Sequence, residues 1–358
     1  MEGLVGLRDR SVLLTGHTGF KGGWLAVWLA TLGARVHGYA LAPPTEPNLF
    51  EVAQVANVLA SDTRADLADL EALTATLERY RPAVVFHLAA QPLVGQGYRD
   101  PLGTLATNVM GTANLLEAVR GADSVRAVVV VASDKVYQNS ESGHAFREGD
   151  PLGGQDPYSA SKASAEIVVA SYRSSFFGDG RHPARIASAR AGNVIGGGDW
   201  AVDRLVPDCM RAFAAGEPIH LRHPDAVRPW QHVLAPLSGY LALAARLLGD
   251  EAERFAGGWN FGPDAHDDAT VEDIAQRIAT LWGGAARLER GADPGWRESG
   301  LLRLDSGKAR SELGWAPPWS LQQALERTVE WYQAWQREYD MQAVCQQQIA
   351  AYAREAMP

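Results

Sequence analysis

Over the first half of the chain, short runs of branched apolar residues alternate with stretches whose apolar positions recur every three to four residues. Ser11 to Thr15, Arg35 to Tyr39, Asn57 to Ser61, Ala83 to Leu88, Ala127 to Ala132 and Ala184 to Ala189 read as strands, the fifth almost pure valine. Between them, Gly22 to Leu32, Asp66 to Tyr80, Pro101 to Val119 and Pro157 to Phe176 carry helical spacing. In the first of these, Trp24, Leu25, Trp28, Leu29 and Leu32 share one face. Strands that are apolar throughout are covered on both faces, and strands separated by helices pair in parallel through right-handed crossovers. The expected class is α/β, a doubly wound parallel sheet.

After Arg190 the alternation weakens, and glycine, proline and tryptophan become frequent, as in GNVIGGGDW, RPWQHV and GWAPPW. The division expected is a first domain over 1–190 and a smaller mixed substrate-binding domain with a C-terminal helix over 191–358. A segment at about 230–262, with a helix near Leu234 to Leu248, is expected to return to the first domain. Ser320 to Gln323 is a capping box opening the C-terminal helix. Its stripe of Leu325, Val329, Tyr332 and Trp335 fits core packing better than a binding face.

Composition narrows the classes. The 358 residues are 46% hydrophobic and 21% charged, with a net charge of -9. That sign argues against a phosphate-backbone partner. The longest strongly apolar run, Val128 to Ala132, is far short of the roughly 20 residues of a membrane span. The opening MEGLVGLRDR lacks the apolar core of a signal peptide. Cys209 and Cys345 stand far apart without metal spacing, so free thiols and a cytoplasmic, reducing setting are expected. His220 and His223 lack a third partner, and no metal is expected. Lysine occurs four times, as Lys21, Lys135, Lys162 and Lys308, in a chain where arginine is the default cation. An ammonium can change protonation where a guanidinium cannot.

Two motifs carry chemistry. Gly16, Gly19 and Gly22 are spaced G-x-x-G-x-x-G between a strand and a helix. Such glycines make a tight turn, admit a pyrophosphate to the backbone and let helix pack on strand, giving a Rossmann-type dinucleotide site. The place where an acid usually holds the ribose reads Tyr39-Ala-Leu-Ala42, without carboxylate or arginine, so NAD is favoured over NADP only in part. Asp62, after the third strand, is the candidate for the adenine amino group. Tyr158 and Lys162 lie at i, i+4 on one helical face, where an ammonium lowers a phenol's pKa towards the working range of a general base. The valine strand ends in Ser133-Asp134-Lys135, at the edge of the sheet where ligands bind. Oxidation of an alcohol needs only the serine, tyrosine and lysine. The further carboxyl and ammonium form a second acid/base couple, as elimination of water beside a ketone requires.

The segments TGHTGFKGGWL, APPTEPNLFE, HLAAQPLV, ASDKVY, DPYSASKASAE, RAGNVIGGGDWAVDRLVPD and RPWQHVLAPLSGYL carry a resemblance over about residues 8–335. The chain resembles the extended short-chain dehydrogenase/reductases, and within them the CDP-glucose 4,6-dehydratase branch. Related dTDP-glucose dehydratases carry glutamate where this chain has Lys135. The resemblance implies NAD held by Gly16, Thr18, Gly19, Phe20, Gly22, Leu88 and Ala89 together with Tyr158 and Lys162. It implies that Tyr158, helped by Lys162 and Ser133, deprotonates a glucose C4 hydroxyl while hydride passes to NAD. Lys135 would then remove the C5 proton, Asp134 would protonate the departing C6 hydroxyl, and hydride would return to C6. Gln91, Asn193, Arg204, Leu205 and Arg228 are implied to contact the CDP-sugar. A homodimer through the helices Pro101 to Val119 and Pro157 to Phe176 is implied as well. The readings that compete are a nucleotide-sugar 4-epimerase or reductase and a non-catalytic binding protein.

Overall fold

Valine and alanine strands with no polar face can only be buried between helices, and such strands form the centre of one seven-stranded parallel sheet. The computed structural model describes residues 6–178, 180–263, 269–283, 286–291 and 300–356. The first five residues, read above for a leader, lie outside these. The strands are β1 Ser11–Thr15, β2 Arg35–Ala40, β3 Ser61–Arg64, β4 Val84–His87, β5 Ala127–Val131, β6 Arg185–Arg190 and β7 Gly258–Asn260. Their order is β7-β6-β5-β4-β1-β2-β3. Val12 of β1 pairs with Val36 on one side and Val84 on the other. The chain therefore reverses direction across the sheet between β1 and β4, opening a crevice beyond their carboxyl ends, where open α/β sheets bind ligands.

Four helices matter for the site: α1 Phe20–Thr31, α2 Leu70–Tyr80, α3 Gly111–Arg120 and α4 Pro157–Tyr172. The helix expected from Pro101 is interrupted by a π-helical turn at Ala106–Met110, and α4 runs on into another at Arg173–Phe177. The third strand differs from expectation. Val55–Val58 is a 3-10 turn, and β3 begins at Ser61, where the notional strand would have ended. The apolar Val58 and Leu59 pack on the core instead of pairing. β3 itself is an edge strand with alternating exposure, so apolar content misplaces it.

After β6 the chain makes short strand pairs: Val194–Ile195 with Gln231–His232, Ile219–Leu221 with Leu288–Arg290, and Val227–Arg228 with Ala269–Thr270. Several later segments also return to the sheet. The helix Leu234–Leu247 packs on β5 and β6, β7 pairs with β6, and the last helix, Met341–Ala356, lies against α1. Trp28 and Tyr352 meet edge to face at 5.8 Å across that last contact. The Ser320 capping box forms, and Leu325, Val329 and Tyr332 are buried in the core.

Candidate active site

A cavity of about 690 Å³ opens over the crevice between β1 and β4. Its first wall is the turn from β1 to α1. Gly16 has φ +77°, and a Cβ there would stand 2.6 Å from the amide nitrogen of Ala89. A Cβ on Gly22 would stand 2.0 Å from the carbonyl oxygen of Gly16, so only glycine lets the helix sit this close to the turn. Gly19 caps α1 without a side chain, leaving the first N–H groups of the helix without a cap and the backbone open to the cavity. An uncapped helix N-terminus behind a glycine turn is an anion site. Thr18 donates to the Leu41 carbonyl at 3.1 Å, and Leu88 donates to Thr15 at 3.1 Å, fixing both lips of the crevice. These residues fit a dinucleotide.

The acid/base side chains lie at the ends of β5 and α4. Ser133 caps a single turn, Asp134–Val136, and accepts from the Lys135 amide at 3.2 Å. Its hydroxyl donates to Asp134 Oδ1 at 3.0 Å. Asp134 is 2% exposed, and its Oδ2 has no hydrogen-bond partner among the described residues. The backbone of Gly192 seats that carboxylate: a Cβ on Gly192 would stand 1.7 Å from Oδ2. Lys135 lines the cavity beside it. Asp156 caps α4, accepting from the Ser159 amide at 2.9 Å, and so fixes where Tyr158 and Lys162 project. Tyr158 hydrogen-bonds Ser133. Lys162 donates to the Val131 carbonyl at 2.9 Å, pinning helix to strand.

The electrostatics depart from the simple pair reading. Burial pushes Tyr158 up to about 12, with the Ser133 hydrogen bond opposing and the Asp134 charge adding. Burial lowers Lys162 to about 8, opposed by Glu166 one turn on. Without ligands, desolvation outweighs proximity, and the tyrosine is a phenol.

Of the residues named from sequence, Gly16, Thr18, Gly19, Phe20, Gly22, Leu88 and Ala89 line the cavity, as do Ser133, Asp134, Lys135, Tyr158 and Lys162. So do Asn193, Arg204, Leu205 and Arg228 from the later part of the chain. Asn193 holds φ +41°, a left-handed conformation unusual for a residue with a side chain. Arg204 donates to Asp199 at 2.8 Å. Trp230 also lines the cavity, its indole N–H held by the Ala269 carbonyl.

Two expectations do not fit this geometry. Asp62 does not line the cavity; His17 and Arg64 each hold its carboxylate at 2.8 Å. Because β3 starts at Ser61, the strand-end acid that reaches the cavity is Asp66, with Leu67 beside it. Gln91 also turns away. Its amide donates to Thr104 at 2.8 Å and its carbonyl accepts from the Leu93 amide, so the side chain braces a loop.

Lys21 was singled out only as a rare lysine, yet it lines the cavity. Burial lowers it to about 7, with Arg204 and Lys162 adding and Asp134 and Asp199 opposing. Three of the four lysines thus converge here, which the spacing of a single segment does not reveal.

A family model described as GDP-mannose 4,6 dehydratase matches residues 13–250, spanning the glycine turn, both acid/base couples and the seat of Asp134. The chain belongs to the GDP-mannose 4,6 dehydratase family. CDP-glucose 4,6-dehydratase of Salmonella typhimurium is 46% identical over 348 residues, 96% of this chain and 96% of that protein. A dTDP-glucose 4,6-dehydratase of Xanthomonas campestris is 26% identical over 89% of this chain and 92% of its own. Among solved structures, a Thermus thermophilus UDP-glucose 4-epimerase in complex with NAD superposes with a TM-score of 0.76 at 25% identity, covering 90% of this chain and 99% of that one. The epimerase Mth375 of Methanothermobacter thermautotrophicus shares the fold at a TM-score of 0.80 and 23% identity, over 94% and 96%.

Proposed function

We propose that this chain is an NAD-dependent lyase converting CDP-glucose to CDP-4-keto-6-deoxyglucose and water. The observation that carries the reading is the buried Asp134 carboxylate, with one oxygen unpartnered, beside Lys135 at the end of β5. A 4-epimerase or a reductase needs Tyr158, Lys162 and Ser133 and has no use for a second couple. The cytidine moiety rests on the 46% identical relative.

The glycine turn, the open N-terminus of α1 and the Asp66–Leu67 corner would hold the cofactor, with Tyr158 and Lys162 at its reactive end. When bound, NAD supplies a hydride acceptor and a positive ring that favours the Tyr158 phenolate against its burial. Tyr158 then takes the C4 hydroxyl proton, with Ser133 orienting that hydroxyl and Lys162 supporting the phenolate. Lys135 removes the C5 proton, made acidic by the C4 carbonyl. Asp134, seated on Gly192 and steadied by Ser133, protonates the C6 hydroxyl as it leaves. The hydride lost from C4 would come back to the substrate at C6, and Lys135 would return its proton to C5, so that C4 ends as a ketone, C6 as a methyl group, and one water departs. Arg204 and Arg228, reaching the cavity from the later segments, suit the diphosphate as bidentate donors. Arg64 is held by Asp62 and the Leu41 carbonyl and does not line the cavity, which agrees with NAD over its phosphorylated relative.

The assembly proposed is a homodimer. Leu102, Met110, Ile167 and Phe176 are exposed on the paired helical segments 101–120 and 157–177, where scattered polar surface would be ordinary. A cytoplasmic setting agrees with two buried, unpaired cysteines, and no described helix is long and apolar enough to cross a membrane. The test of function is incubation of the purified chain with CDP-glucose, followed by ultraviolet absorbance in alkali and mass analysis of the sugar nucleotide. Loss of one water with enolate absorbance is expected; an isomer of unchanged mass would make it an epimerase.

A further inference from the structure

Glu166 and Arg190 are each 5% exposed, and neither lines the cavity. The guanidinium is bidentate on the carboxylate, with Nε to Oε1 at 2.8 Å and Nη2 to Oε2 at 3.0 Å. Ser188 donates to the same carboxylate at 2.7 Å. A buried ion pair contributes little to stability against apolar groups of equal volume, because both charges lose their water. Its placement is therefore informative.

Glu166 follows Lys162 by one turn and Tyr158 by two, on the same face of α4. The far side of Arg190 donates to the Tyr137 hydroxyl at 2.9 Å and to the Glu148 carbonyl at 3.1 Å. Tyr137, two residues past Lys135, is itself held by Asn260 at 2.6 Å. Along the backbone, Arg190 leads directly to Gly192, the seat of Asp134. Gly258 leaves room for the guanidinium: a Cβ there would stand 2.9 Å from Nη2. One cation thus touches the helix of the first couple, the turn of the second, and the strand that carries the second couple's seat.

We propose that Glu166 and Arg190 are positioning residues whose buried pair ties the Tyr158–Lys162 helix to the Asp134–Lys135 turn, so that oxidation and elimination act on one substrate pose. This rests on the dehydratase reading given above. Glu166 has a second, electrostatic effect. It raises Lys162 against burial, while Lys21 from α1 and His87 from β4 are the other titratable groups that sense the Lys162 charge. Neutralising Glu166 lowers Lys162 further, so a rate that needs the ammonium loses its alkaline limb at lower pH.

The experiment compares the full-length wild type with Arg190→Lys, Arg190→Met, Glu166→Gln and the double variant Glu166→Gln/Arg190→Met. With CDP-glucose, Arg190→Met and Glu166→Gln should lower kcat about 10- to 100-fold with KM changed less than about threefold, the scale of a displaced catalytic group. Arg190→Lys should recover part of the loss, and Glu166→Gln should shift the alkaline limb downwards. If a single variant fails to fold, the double variant, free of an uncompensated buried charge, should fold yet stay slow. In Arg190→Met, amide hydrogen exchange should quicken together in 133–138 and 157–166 while 11–40 keeps wild-type rates. A wild type that leaves CDP-glucose untouched overturns the dehydratase reading, and the exchange pattern still decides the coupling. Wild-type kcat and pH profile in a folded Glu166→Gln, or loosening of only one of the two segments, overturns the proposal.

Discussion

The two acid/base couples differ in how completely the protein alone satisfies them. Tyr158 and Lys162 sit on a sixteen-residue helix with a side-chain cap, and both have partners: the phenol meets Ser133 and the ammonium meets the Val131 carbonyl. Asp134 and Lys135 sit on a three-residue turn, and one carboxylate oxygen of Asp134 has no partner among the described residues. An unpaired buried acceptor costs free energy, of order 1–3 kcal/mol. Asp134 lines the cavity, so a bound hydroxyl can complete it. The first couple is thus set by secondary structure and resists change of state, whereas the second is set by a seat and awaits a substrate hydroxyl.

That contrast orders the consequences of breaking each. Tyr158→Phe removes the group placed to take the first proton, so every later step stops; product formation should fall about 10³-fold or more, near the upper range for general acid/base catalysis. Single-turnover absorbance should show no reduced cofactor. Asp134→Asn and Lys135→Met should instead lower dehydration about 10²- to 10³-fold while reduced cofactor still forms, because oxidation at C4 precedes their work. If either variant dehydrates at the wild-type rate, the second couple is misassigned. Gly192→Ala tests the seat without touching the acid. A methyl group 1.7 Å from Oδ2 must displace the carboxylate, and product formation should fall about tenfold or more, with C4 oxidation spared.

The same contrast explains what could be read from the chain beforehand. The parallel sheet, the glycine turn and the Tyr158–Lys162 face follow from local periodicity, because valine runs and i, i+4 spacing have few alternative meanings. Asp62 stands outside the cavity because register, not composition, decides which strand-end acid faces the crevice. β3 is a polar edge strand, and the apolar Val58-Leu59 ahead of it imitates the missing strand. The orientation of Gln91 is not legible in the chain because its partners, Thr104 and the Leu93 amide, are a matter of loop conformation. The elevated Tyr158 reflects burial, which spacing does not report. Lys21 lay hidden because its neighbours Arg204, Asp134 and Lys162 come from three distant segments.

Lys21 gives the smallest but most direct check on the contrast, since its ammonium senses a member of each couple, Lys162 and Asp134. Its ordinary value of 10.5 falls to about 7 in the folded chain, first through desolvation and then through Arg204. Between those values the unfolded chain binds more protons than the folded one, so stability rises with pH across that window. Below pH 7 both states are charged and the folded state carries the full cost of the confined cation; above 10.5 neither is charged and the cost is gone. Lys21→Met should therefore raise the melting temperature of the ligand-free protein by a few degrees at pH 6.5, with the gain shrinking steadily towards pH 10. A gain independent of pH would mean that Lys21 is fully solvated, and that the region between the two couples is open to water before substrate arrives.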